Sequence, residues 1–250
     1  KLVAKNPGNI GGWLTDSNGQ VRLALETDGV VGTILYRETE EDEFKPFISI
    51  DAGDTVSPLG FSKDNQFIYA LSNKGRDKIE LVKYDLKGNE EVIFSNQHTD
   101  IVGALYNLEK DQILFTVYET DKFHYEFFDS EFEKIFNHMK DKLGVDESEF
   151  GINDYNKEMT KFIVSVSSDT VYGKYYYYDS ETDTMTPLAE LGAWIDSNNL
   201  AKMHPISYEA RDGLTIHGYL TLPKNKVAKD LPLVVLPHGG PWWRDSWGFN

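Results

Sequence analysis

The chain has 250 residues, 40% hydrophobic and 13% aromatic, with 41 acidic against 25 basic side chains and a formal net charge of −16. That apolar supply fills the core of one large or two modest domains and excludes a disordered chain. The acidic excess argues against nucleic acid or an anionic membrane as partner, since both reward clusters of Lys and Arg, and it reads chiefly as solubility. The absence of cysteine excludes a disulfide framework, a thiol nucleophile and a Cys-based zinc site, and leaves the compartment open. There is no run of 18 apolar residues and no signal-like segment. The first residue is Lys1 rather than Met, which leaves room for an export signal upstream.

Four strand-like cores recur along the first 200 residues. They are Val21–Leu25, Phe67–Leu71, Ile113–Val117 and Phe162–Val166, and their starts lie 46, 46 and 49 residues apart. Turn formers precede the first two, Ser17-Asn18-Gly19 and Ser62-Lys63-Asp64-Asn65. A second strand follows each core and in the last three ends on an aromatic residue and Asp: Tyr84-Asp85, Phe128-Asp129 and Tyr178-Asp179. Short strands with turn signals at a period in the forties predict β-propeller blades, with a β-sandwich as the bland alternative. Four blades are few for a closed ring, and unpaired blade edges are a liability. The expectation is therefore further blades upstream of Lys1 or blades supplied by another copy or chain, so a homo-oligomer is compatible.

Within this region the acidic run Glu38–Glu43 follows a strand and is read as a solvated hairpin tip, with a calcium or amino-terminus site as the sharper alternative. Phe132, Ile135, Phe136, Met139 and Leu143 recur at helical spacing, which predicts one helix. Ser130 with Glu133 reads as its capping box and Gly144 as its stop. Tyr175–Tyr178 reads as packed blade surface. His98, His124, His138, His204 and His217 show no metal-ligand spacing, so neither a metal nor a cofactor is expected.

Past Trp194 the period lapses. Ile206–Pro223 alternates apolar and polar residues on both sides of Asp212-Gly213, a hairpin signal. A polar stretch, Lys224–Asp230, leads to the apolar run Leu231–Leu236, which predicts a buried strand. His238-Gly239-Gly240-Pro241 follows. Glycines after a strand either shape a simple turn or bring backbone N–H groups close to a substrate oxygen, as His-Gly-Gly turns do in the oxyanion holes of α/β-hydrolases. Trp242, Trp243 and Trp247 fit core packing or a pocket wall, and Arg244 with Asp245 fits a local ion pair or a substrate contact. No G-x-S-x-G occurs in the 250 residues.

Several segments carry a resemblance: Asn6-Pro7-Gly8-Asn9 with Gly12-Trp13-Leu14, Asn73–Lys78, Met203–Tyr208, Arg211-Asp212-Gly213, Gly218-Tyr219-Leu220 and His238–Pro241. In this order they resemble the prolyl oligopeptidase family of serine peptidases, nearer its acylaminoacyl-peptidase and dipeptidyl-aminopeptidase-like branches. The resemblance implies a mostly β chain in which residues 1–199 are about four propeller blades and 200–250 the first strands of an α/β-hydrolase domain. It implies a Ser-Asp-His triad outside these residues, short peptide substrates, a propeller that gates them, and the remainder of the hydrolase domain as partner. By the same resemblance the Gly240 N–H is an oxyanion donor, Gly239 shapes the loop and His238 orients it. The chain alone is then expected to be inactive. The rival reading is a propeller interaction scaffold whose hydrolase part is vestigial or removed.

Overall fold

In this computed structural model the described residues are 2–224, 226–240 and 243–249. The chain divides into two compact units, Lys1–Thr120 with His124–Glu133 and Asp121–Phe123 with Lys134–Asn250.

The first unit holds three antiparallel meanders. The first is β1 (Ile10–Thr15), β2 (Val21–Thr27), β3 (Gly32–Tyr36) and β4 (Lys45–Ile50), in spatial order β1-β2-β3-β4. The second repeats it with β5 (Val56–Phe61), β6 (Phe67–Ser72), β7 (Glu80–Asp85) and β8 (Glu90–Phe94). The third has three strands, β9 (Ile101–Asn107), β10 (Gln112–Glu119) and β11 (Phe123–Phe127). The repeating cores of the sequence are β2, β6 and β10, the second strand of each sheet. Successive strand residues face opposite sides, so the burial of Leu23 beside Ala24, and of Ile113, Leu114, Phe115 and Thr116 in a row, means sheets covered on both faces. One core joins Leu23, Ile34 and Ile48 of the first sheet to Val56, Phe61, Ile68, Val82 and Tyr84 of the second. Another joins Leu71 and Leu81 to Ile101 and Ile113 of the third. Antiparallel meanders that pack on one another in this way, two of four strands and one of three, are propeller blades.

The turn between first and second strands has one design throughout. Gly19, Asn65 and Asp111 occupy it at φ of +79°, +59° and +52°, a region open mainly to Gly, Asn and Asp. Asn65 Oδ1 accepts the Ser17 N–H, and Asp111 Oδ1 accepts the Lys63 N–H, each at 2.9 Å. Each turn is thereby hydrogen-bonded to its counterpart in the next blade. The first and second strands of these sheets also slip register, at Ile10/Gly12 and Leu14/Thr15, at Pro58/Gly60, and at Ile113/Phe115 and Val117/Tyr118, irregularities of the bulge kind that sharpen the local twist.

Tyr84-Asp85 ends β7 because Asp opens the next turn, whereas Phe128-Asp129 lies just past the end of β11. Asp85 Oδ1 accepts the N–H groups of Lys87 and Asn89, both at 2.9 Å, and Gly88 takes φ +86°. In the third sheet the same residue does something else. Asp129 Oδ1 accepts from Glu131 and Phe132 N–H at 3.0 and 2.9 Å and so caps α1 (Ser130–Leu143), which stands where a fourth strand would follow. This corrects the expected capping box at Ser130 and Glu133. Ser130 is already helical and exposed, whereas buried Asp129 also holds Lys110 Nζ at 2.6 Å. Gly144 ends the helix as expected, at φ +68° with its N–H on Asp141 O. Phe132, Phe136 and Met139 are fully buried, and Phe132 stacks on Phe115.

In the second unit, β12 (Phe150–Tyr155), β13 (Lys161–Val166), β14 (Gly173–Asp179) and β15 (Thr184–Leu191) form the fourth blade. β13 is the fourth expected core, with Phe162, Val164 and Val166 alternately buried. Phe136 meets Phe150 edge to face at 4.9 Å. In β14, Tyr178 is buried while Tyr175, Tyr176 and Tyr177 are half-buried. β16 (Met203–Glu209) and β17 (Thr215–Thr221) make the expected hairpin, turning on Gly213 at φ +83°.

The run Leu231–Leu236 is corrected. It forms no strand, and Leu233, Val234, Val235 and Leu236 are 74–86% exposed. A central strand takes its hydrogen bonds from neighbours on both sides, and among the described residues no strand pairs with this segment.

Candidate active site

Residues 237–240 are exposed and without regular structure. His238 Nδ1 lies 2.6 Å from the carbonyl oxygen of Gly239. A carbonyl only accepts, so Nδ1 carries the proton and donates. That bond fixes a peptide plane: the Gly239 carbonyl and the Gly240 N–H belong to one trans peptide, so holding the oxygen toward the imidazole directs the N–H the opposite way. Gly240 takes φ +149°, and a Cβ placed on Gly239 would meet no atom within 4 Å. The expected members His238, Gly239 and Gly240 are thus brought together. Pro241 and Trp242 lie outside the described residues.

The three aromatic residues expected beyond the loop part company. Trp243 is 75% exposed, whereas Trp247 is 8% exposed. Trp247 donates its Nε1–H to Met203 O at 3.0 Å, and Lys122 Nζ sits 3.9 Å from its ring centroid. Arg244 Nε reaches the backbone oxygen of Asp245, at 3.3 Å.

Sequence reasoning missed the groups that hold the start of the hairpin. Met203 N–H donates to Asp169 Oδ2 at 2.7 Å. Tyr219 of β17 donates its hydroxyl to Asp121 O at 2.7 Å, and Lys224 Nζ donates to Asn198 O at 2.7 Å. Tyr172 packs on Phe249 with ring centroids 5.0 Å apart. These contacts span 26 to 98 residues of sequence, and none follows a local motif.

The acidic run occupies the connection between β3 and β4. Glu38 accepts from the Tyr36 hydroxyl and pairs with Arg22 at 3.4 Å; Asp42 accepts from Thr39 N–H and Oγ1–H. Burial first, then the bond to Glu38, pushes the Tyr36 phenol up to about 12. The side chains here serve the hairpin itself.

No family model matches the sequence. The whole chain aligns with dipeptidyl aminopeptidase BIII of Pseudoxanthomonas mexicana at 24% identity and with dipeptidyl peptidase family member 6 of Caenorhabditis elegans at 26%. Among solved structures, puromycin hydrolase superposes on 98% of this chain with a TM-score of 0.69 at 15% identity. Prolyl oligopeptidase B of Galerina marginata, bound to a 25mer macrocyclization substrate, superposes on 87% with 0.57 at 12%. The relatives it resembles in sequence are named as dipeptidyl peptidases, and the structures it resembles include prolyl oligopeptidases. It spans 37% and 38% of the two curated relatives and 39% and 31% of the two solved chains. At these identities the solved structures speak for the fold alone, and it is their propeller part that the blades match.

Proposed function

We propose that this chain is the blade and oxyanion-loop portion of a serine peptidase that hydrolyses short peptides through an acyl-enzyme. In this reading residues 1–199 are propeller blades that gate access, and 200–250 begin the α/β-hydrolase domain. The observation that carries it is the peptide plane between Gly239 and Gly240, held by the His238 ring in a chain whose relatives are named as peptidases.

Attack of a serine on a peptide carbonyl puts negative charge on its oxygen, and a fixed N–H aimed at that position lowers the barrier by about 3–4 kcal/mol. Gly240 supplies one such donor, and the residue after the nucleophile supplies the other. His238 acts on the carbonyl side of the plane and does not itself transfer a proton. Gly239 and Gly240 leave the oxyanion side free of side chains. Since these 250 residues include no G-x-S-x-G, the chain by itself forms no acyl-enzyme.

The test is intact-mass spectrometry after treatment with a fluorophosphonate, applied to the full-length gene product and to this 250-residue chain. The expected result is one adduct on the former and none on the latter. His238→Ala in the full-length protein should lower kcat about tenfold with KM little changed, since a loosened donor acts in the transition state alone. Absence of any adduct on the full-length protein overturns the peptidase reading.

A further inference from the structure

The start of the hairpin and the segment that follows the loop His238–Gly240 are tied together by a backbone clamp that the reading above does not use. Met203, the first residue of β16, has both its main-chain polar groups taken by side chains distant in sequence. Its N–H goes to Asp169 in the connection between β13 and β14, and its carbonyl accepts the indole N–H of Trp247, seven residues past Gly240. Both side chains are more than nine-tenths buried, Asp169 at 7% and Trp247 at 8% exposed.

We infer that Asp169 and Trp247 are positioning residues for the oxyanion loop, clamping Met203 so that a blade connection, the first hydrolase strand and the segment after the loop hold one geometry. The inference rests on the proposed function. Two further contacts fix the same assembly: the Tyr172 ring, three residues past Asp169, packs on Phe249, and the Lys122 ammonium lies over the Trp247 ring.

The chemistry of Asp169 separates a clamp from ordinary packing. Its Oδ2 accepts one N–H, while its Oδ1 is buried with no hydrogen-bond partner among the described residues. A half-satisfied buried carboxylate opposes folding, so stability alone gives no reason for it, whereas a short charge-assisted bond to a single N–H fixes position tightly. From Pro232 through the loop to Gly240 every residue is exposed. Among the described residues Trp247 and Phe249 are therefore the packed points that follow the loop closely.

Two measurements test this with Asp169→Ala, Asp169→Asn and Trp247→Phe. Asparagine keeps an acceptor for the Met203 N–H, and phenylalanine keeps a ring without the donor. In the 250-residue chain, hydrogen exchange of Met203–Glu209 and of residues 243–249 should rise at least tenfold in both regions for Asp169→Ala and for Trp247→Phe, and stay near wild type for Asp169→Asn. A rise confined to the peptide that carries the substitution overturns the clamp. In the full-length protein, Asp169→Ala and Trp247→Phe should lower kcat on a peptide amide about tenfold with KM within twofold, with Asp169→Asn recovering most of the rate. Faster exchange with kcat unchanged overturns the positioning role. A wild-type protein that forms no fluorophosphonate adduct overturns the peptidase reading and this role with it, while exchange still decides whether the clamp exists.

Discussion

Replacing Asp129 separates the three things it does where a helix takes the place of a fourth strand. Its Oδ1 caps α1 through Glu131 and Phe132, its charge sits at the helix N-terminus, and its Oδ2 pairs with Lys110. Removing a cap of this type costs about 1 kcal/mol, and losing a negative charge from the first turn adds about 0.5 kcal/mol. The ion pair adds about another 0.5 kcal/mol, kept low because the Lys110 side chain is 34% exposed. Asp129→Ala should therefore cost about 2 kcal/mol, and Asp129→Asn, which keeps an acceptor, about 1 kcal/mol. Burial raises the Asp129 pKa, but the Lys110 ammonium and the Phe132 and Glu131 N–H groups outweigh it and hold the carboxyl below its ordinary value. A depressed folded pKa gives stability that is complete above the unfolded value, about 3.9, and is lost as pH falls through the folded one. Wild type and Asp129→Asn should thus converge in acid. Urea unfolding of the chain, followed at 222 nm and by amide exchange of α1, measures both effects. Equal costs for the two variants, or a wild-type advantage that persists in acid, would refute the reasoning.

Four other outcomes follow from the blades and the hairpin. Asn65→Gly keeps the left-handed turn and loses the acceptor for Ser17 N–H, so it should cost about 1 kcal/mol, with Asn65→Ala costing at least about 1 kcal/mol more for its φ of +59°; urea midpoints that do not separate the two would exclude this. Tyr84→Phe removes a hydroxyl shared with Glu90 and Ser72 and should cost about 1 kcal/mol. Burial raises the Glu90 pKa, but Arg76 and Tyr84 together hold it below its ordinary value, so the advantage of wild type over Glu90→Gln should shrink as pH falls through that folded pKa. Gly213→Ala meets no atom within 4 Å but keeps φ +83°, so amide exchange should quicken in β16 and β17 by about 1 kcal/mol of lost protection and stay unchanged elsewhere.

The parts of the fold that were legible in the sequence are those whose signal is local. β2, β6, β10 and β13 combine apolar runs with turn residues just ahead of them, and Gly213 announces its hairpin. The rest depends on partners the pattern does not carry. Phe128-Asp129 has the same aromatic-Asp pattern as Tyr84-Asp85, yet one Asp begins a helix and the other a turn, because Glu131 and Phe132 continue as an amphipathic helix whereas Gly88 accepts φ +86°. Leu231–Leu236 has the composition of a central strand without the flanking strands that would pair it. At the candidate site, His238, Gly239 and Gly240 are contiguous and could be read directly. Asp169 and Met203 are 34 residues apart and belong to segments that look unrelated until folded.

The joints between blades have a direction. In both joints the earlier turn donates a backbone N–H to the left-handed residue of the later one, Ser17 to Asn65 and Lys63 to Asp111. A chain emerging from the ribosome therefore presents the donor first and waits one repeat, 46 residues between the first core strands, for the acceptor that closes the joint. Assembly can then proceed vectorially, each finished blade being the template on which the next one docks. The same polarity makes the second blade an exchangeable unit: its turn carries the acceptor of one joint, Asn65, and the donor of the next, Lys63, so duplicating that blade leaves a seam that still matches.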